Sequence, residues 1–191
     1  ETINQDIRTL GKLFGNTERA EQLVTLYDQA RAKIADITNV IPEEEKPSTL
    51  LLQYSDKGGE VAFSVPTGGF LQTQLVEMAG GAPVWKEVTG KGWSVITLEQ
   101  IAAWNPEIII VVDYRGKAME AVDRLKADEN WQQLDAVKNE KLYAFPLDFQ
   151  SWDQPDSRWT LGLTWLATIL QPERFASLKM HEEIPAFYTD F

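Results

Sequence analysis

The sequence predicts an α/β fold, a mainly parallel sheet flanked by helices, entered through a long amino-terminal helix. Three observations carry that reading. After residue 47, short apolar runs alternate with stretches of helical apolar spacing, the pattern of strands joined by crossover helices. Before residue 42 the apolar spacing is helical throughout. A chain of 191 residues that is 43% hydrophobic can bury a real core, yet it is too short for more than one or two domains.

The elements follow in order. Ile3, Ile7, Leu10 and Phe14 repeat at helical spacing up to Gly15, a residue suited to a left-handed helix terminus. Asn16 or Thr17 then caps a second helix, whose first-turn Glu18 and Glu21 complement the dipole. Its stripe of Ala20, Leu23, Tyr27, Ala30, Ile34 and Ile37 runs to Pro42. At 1.5 Å per residue such a helix spans roughly 30 Å. The charged connector Glu43-Glu44-Glu45-Lys46-Pro47 divides the chain into a helical segment, 1–46, and an α/β lobe, 47–191. Within the lobe the pattern predicts a strand at 50–54, helices at 70–79 and 98–104, and a strand at 107–112. A helix at 117–126, a strand at 141–145 and a helix at 156–170 opened by Asp156 complete it. Thr97 caps the 98–104 helix, Leu98, Ile101 and Ala102 form its inner face, and Asn105-Pro106 ends it. Ligands of such sheets gather beyond the carboxyl ends of the strands.

Composition excludes several function classes. A formal charge of -11, from 18 basic and 29 acidic side chains, repels polyanions, so no nucleic-acid partner is expected. With zero cysteines there is no disulfide, thiolate nucleophile, iron–sulfur cluster or Cys-type zinc site. The single His181 stands beside Glu182 and Glu183, without the partners of a zinc centre or a nucleophile elbow. No catalytic set, metal site or cofactor is therefore expected, and ligand binding becomes the default role.

Of the seven tryptophans, Trp104, Trp159 and Trp165 fall within helical patterns and are read as core. Trp93 and Trp152 lie among Gly, Ser and Asp, where a large indole suits a flat apolar contact with a ligand; the alternative is an indole folded back on the core. Trp85 is a weaker candidate for the same rim. Pro66-Thr67-Gly68-Gly69-Phe70 opens a helix and offers backbone donors to an anionic group, or is a plain turn. It lacks the Lys-Ser or Lys-Thr of a P-loop. Asp148, Ser151, Asp153 and Asp156 surround Trp152 without the spacing of a calcium loop. Arg115 and Arg158 are the nearest cations for an anionic ligand. Glu99 projects from the short 98–104 helix, either toward a partner or as a first-turn residue favoured by the dipole.

An ordered set of motifs spans the chain: Phe70-Leu71 to Glu77-Met78-Ala79-Gly80-Gly81, Leu98-Glu99-Gln100-Ile101 with Asn105-Pro106-Glu107-Ile108-Ile109-Ile110-Val111, Trp131 to Asn139, and Ser151-Trp152-Asp153-Gln154-Pro155-Asp156-Ser157-Arg158-Trp159 with Leu161-Gly162 and Trp165-Leu166-Ala167. In residues and order it resembles the carboxyl-terminal lobe of the class III, metal-chelate type periplasmic binding proteins of ABC importers, which serve vitamin B12, siderophores, haem and some oxyanions. The resemblance implies one lobe of a two-lobe, chelatase-like architecture, with the helix ending near Pro42 as the inter-lobe spine. It implies a signal or lipid anchor and an amino-terminal lobe in the full protein, an extracytoplasmic location, and a metal-chelate or oxyanion ligand. It places Trp93, Trp152, Thr67, Gly68 and Ser151 at the ligand cleft and Glu99 at the contact with arginines of an ABC permease. The competing readings are a chelatase-like metal-handling enzyme domain and a structural interaction module.

Overall fold

A computed structural model describes residues 2–190. Glu1 and Phe191, the outer ends of the two expected segments, lie outside the described residues. The chain opens with α1 (Thr2–Leu13) and α2 (Thr17–Thr38), separated by Gly15 at φ 67°. Asn16 occupies the position before α2 but makes no side-chain capping bond. Ala20, Val24, Tyr27 and Ile34 are the apolar residues α2 buries. Tyr27 meets Trp159 edge to face, with ring centroids 5.6 Å apart.

The sheet is built on β1 (Ser48–Lys57), β2 (Glu60–Pro66), β3 (Ala82–Pro83), β4 (Trp93–Ile96), β5 (Ile108–Val112) and β6 (Leu142–Ala144), in the order β4-β2-β1-β5-β6. β5 runs parallel to both β1 and β6. β3 pairs in parallel with the first two residues of β1, while β2 takes the same strand antiparallel from Gln53 onward. β4 pairs antiparallel with β2 and closes that edge. Three of the five strand pairings are parallel, so the expected α/β fold with a mainly parallel sheet is borne out, and β2 and β4 add an antiparallel part to it. The cause is local: Gly58 and Gly59, at φ 66° and 91°, form a two-residue turn of the kind that folds a strand straight back.

Helices α3 (Leu71–Met78), α4 (Leu98–Trp104), α5 (Ala118–Ala127), α6 (Asp135–Lys138), α7 (Trp159–Leu170) and α8 (Met180–Asp190) complete the chain. Every residue of β5 is buried, as are Leu50, Leu51 and Leu52 of β1, so both strands are covered on both faces. α3 packs on β1, α5 on β5 and β6, and α7 lies between α3 and α2. Thr97 and Gln100 form a capping box on α4, and Asn105 ends that helix at φ 38°. Asn105 also exchanges two hydrogen bonds with Asp135, at 2.8 and 3.2 Å, tying α4 to α6. Only part of the expected inner face of α4 is inward: Ile101 is buried and Ala102 exposed. The last large helix starts at Trp159 rather than 156, because Asp156 accepts the Arg158 backbone N–H at 2.8 Å in a turn before it.

Burial, with the charge of Asp156 second, pushes the Tyr27 phenol up to about 12. Its neutral form is thus favoured in the folded state. The unfolded chain releases this proton near pH 10 and the native one near 12, so stability falls as pH rises through that window. Tyr27→Phe is expected to remove about one proton from the alkaline slope of unfolding free energy, measured by urea denaturation at several pH values.

Candidate functional site

Beyond the carboxyl ends of β5 and β6 lies an open pocket of ≈ 920 Å³. Four pieces of chain wall it: Gly69 to Gln72 at the start of α3, Trp93 at the start of β4, Tyr114 just after β5, and Phe149 to Ser151 with Gln154-Pro155 between β6 and α7. Each is brought there by the sheet. Trp93 pairs with Pro66 in the β2–β4 ladder, so its indole stands beside the loop that leads into α3. Tyr114 sits two residues past the buried end of β5 and meets Trp93 edge to face at 6.0 Å. Phe149 projects at 90% exposure from a small reversal closed by the Leu147–Ser151 bridge.

Polar groups behind the wall hold these pieces together. Asp153 is fully buried. Its Oδ2 accepts the Tyr114 hydroxyl at 2.7 Å and the Gln72 amide at 3.1 Å, joining the β5 loop, α3 and the β6–α7 loop at one atom. Burial first, then the Asp153 charge, raises the Tyr114 pKa well above that of a free phenol. Asp153 Oδ1 and Gln72 Oε1 are buried acceptors with no hydrogen-bond partner. The reversal carrying Phe149 is fixed from below. Asp148 accepts the Phe149 N–H, the Tyr188 hydroxyl of α8 and Arg158 Nη1. Burial opposes ionisation of Asp148, but these donors and the Arg158 charge outweigh it and leave its pKa below the ordinary carboxylate value.

The structure sorts the sequence-derived candidates. Trp93 and Ser151 lie on the pocket; Thr67 and Gly68 stand just outside, in the turn before Gly69. Trp93 is half-buried on a strand, not in a loop. Trp152 corrects the expectation of an exposed indole: it is 5% exposed and belongs to the core. Its neighbours Ser151 and Asp153 turn toward the pocket wall while it turns inward against α7, where Gly162 lets the Trp152 carbonyl approach the helix closely. Trp85 is also buried, its indole N–H donating to Thr73 Oγ1 at 3.2 Å. Trp159 is core as expected. Arg158 is paired with Asp156 and Asp148, and Arg115 with Asp113, so neither cation reaches the pocket. Among the described residues no group of three His, Asp or Glu side chains gathers to hold a metal ion.

Glu99 is exposed in the first turn of α4. Its pKa is lowered, first by its own backbone N–H and then by Thr97. That is the helix-end role, which leaves the outer edge of the carboxylate facing solvent. Sequence reasoning missed Gln72, Tyr114 and Phe149, and singled out Asp153 only as one of the acidic residues around Trp152. The position of Tyr114 at the carboxyl end of the most apolar strand was the available signal.

A family model described as periplasmic binding protein matches residues 1–148. The chain is 25% identical over 190 residues to the molybdate-binding protein MolA of Haemophilus influenzae, covering 99% of this chain and 51% of that one. A solved periplasmic solute binding protein from Veillonella parvula superposes with TM-score 0.77 at 26% identity, covering 97% of this chain and 54% of the other. An ABC transporter solute binding protein from Sulfurospirillum deleyianum gives TM-score 0.81 at 27% identity, with 98% and 56% covered. The chain thus spans about half the length of these relatives.

A Cβ on Gly162 would sit well inside contact distance of the Trp152 carbonyl oxygen, backbone that cannot swing aside. Gly162→Ala is expected to cost about 1–3 kcal/mol of stability, as overpacking does. Denaturant titration checks the loss. Tryptophan fluorescence of the native state should change with it, because the segment from Ser151 to Asp153 must move.

Proposed function

This chain belongs to the periplasmic binding protein family, and from that premise we propose that it forms the carboxyl-terminal, ligand-binding lobe of an extracytoplasmic solute-binding protein that delivers a metal chelate to an ABC importer. Members of this family bind and carry solutes rather than transform them. The two segments are assigned accordingly: 1–46 supplies helical structure including α2 as the inter-lobe spine, and 47–191 supplies one wall of the ligand cleft. The other lobe of that two-lobe architecture provides the facing wall.

The observation that carries the reading is the aromatic wall of the pocket. Trp93, Tyr114, Phe70 and Phe149 surround an opening of ≈ 920 Å³ at the carboxyl ends of β5 and β6. Apolar faces of that extent suit an iron complex, corrinoid or haem, whose organic shell is broad and flat. Molybdate, named for the Haemophilus influenzae relative, is the rival cargo. A small tetrahedral oxyanion makes little use of four aromatic side chains. The chelatase-like enzyme reading would require a metal-binding His or carboxylate set in the cleft. His181 instead lies on α8, beside Glu182.

In the protein carrying both lobes, Trp93→Ala is expected to weaken cargo binding by about 1–3 kcal/mol with folding retained, as for loss of a large apolar contact. Isothermal titration calorimetry with cyanocobalamin, haemin and ferrichrome measures this. Normal affinity for every cargo that binds would remove Trp93 from the site.

Glu99 is proposed as the permease contact. A short, doubly capped helix holds its carboxylate where an arginine can pair with it, an arrangement that orients two proteins more than it adds affinity. Glu99→Arg should leave cargo affinity and melting temperature nearly unchanged and sharply reduce uptake. Normal uptake by cells carrying this variant would confine Glu99 to its helix-end role.

A further inference from the structure

The charge of the pocket wall has a definite sense. No Lys, Arg or His stands among its lining residues, and Arg158 and Arg115 are committed to carboxylates away from it. Six side chains of the wall own hydrogen-bond donors, Gln72, Trp93, Tyr114, Gln150, Ser151 and Gln154. Two of them, Gln72 and Tyr114, direct those donors at Asp153. Among the described residues the buried side-chain atoms without a hydrogen-bond partner are two acceptors, Asp153 Oδ1 and Gln72 Oε1, and two indole donors, Trp152 Nε1 and Trp159 Nε1.

One feature opposes this. α3 starts at Leu71 and its amino terminus faces the pocket, where a helix end carries about half a positive charge. Asp153 accepts the side-chain amide of Gln72, which brings its carboxyl group beside the first turn of that same helix. An acidic side chain at this place opposes the positive charge of the helix end.

We propose that Asp153, held behind the wall by Tyr114 and Gln72, is a positioning and specificity residue that favours cargo presenting positive charge or N–H and O–H donors to this lobe, and disfavours anionic chelates and free oxyanions. This rests on the solute-binding reading above. Asp153 does not touch the ligand; it acts by its charge and by fixing the Tyr114 ring, which in turn fixes the edge-to-face contact with Trp93.

The test compares two ferric chelates of opposite charge, cationic ferric desferrioxamine B and anionic ferric enterobactin, together with sodium molybdate. The protein used carries both lobes, so the unseen wall contributes equally before and after substitution. Dissociation constants are measured for wild type and Asp153→Asn. The ratio of cationic to anionic affinity should fall by at least about tenfold in Asp153→Asn, the scale of removing one unit charge several ångströms from the ligand. Where only one probe binds, its own constant should move with the same sign: weaker for the cation, tighter for the anion. A purely structural role would weaken all ligands alike and leave the ratio unmoved, which overturns the proposal. If Asp153→Asn does not fold, Tyr114→Phe serves, since it removes a donor from Asp153 and should shift the ratio toward the cation. An unmoved or opposite shift in that variant overturns the proposal equally. Failure of the wild type to bind any chelate or molybdate would defeat the solute-binding reading itself.

Discussion

The parallel pairing of β1, β5 and β6 is the constraint on which the remainder of the molecule depends. Leu50 to Leu52 pair with Ile109 to Val111, and Ile109 to Val111 with Leu142 to Ala144. Burying each large apolar side chain of this block contributes about 1.5–3 kcal/mol relative to leaving it exposed. A one-residue slip in register would exchange the faces of every strand at once. The block therefore fixes where β5 and β6 end, and with them where Tyr114 and the segment from Phe149 to Pro155 emerge. The pocket exists because these chain exits are neighbours, and β2 with β4 extends the same platform to bring in Trp93.

Asp153 is a local tie of a different kind. A buried carboxylate is unfavourable unless it is hydrogen-bonded, and two donors on one oxygen meet that requirement only in part. Their source matters as much as their number, since one comes from α3 and one from the β5 loop. Removing either donor would leave a buried charge poorly satisfied, so the three elements are held in one relative arrangement. Gly162 serves the same end on the other side of the loop: the chain can enter the groove above α7 only where no Cβ obstructs the Trp152 carbonyl.

Periodicity made the helices and the central strands readable. The apolar run Ile108 to Val112 is too short and too β-branched for a helix, and Thr97 with Asn105-Pro106 bounded α4 to the residue. The antiparallel part of the sheet escaped because β2 mixes polar and apolar residues along an incompletely buried strand. The turn signal Gly58-Gly59 was present and is a strong hairpin marker. The site was half legible. Trp93 and Ser151 reach the pocket, but Trp152 illustrates why loop composition misleads: a residue flanked by Ser and Asp can still be core when its neighbours alternate outward and inward across a tight turn. Asp153 was visible only as one of several loop carboxylates, since its partners Gln72 and Tyr114 lie 81 and 39 residues away in sequence.

A wall in which Gln72 and Tyr114 are already paired with Asp153 has a consequence for capture. Little side-chain ordering remains to be done by Tyr114 or Trp93 when a ligand arrives, so more of the contact free energy appears as affinity. Phe149 differs in being 90% exposed, at the tip of a reversal whose base is anchored by Asp148. The overall charge of -11 acts at longer range in the same sense as Asp153. On the proposed binding role, together they would make approach faster for a cationic chelate than for an anion, and more so at low ionic strength, where a charge is felt beyond about 10 Å. Selectivity on this side of the proposed cleft would then arise twice, once in the rate of encounter from the whole surface and once in the bound state from a single buried acid.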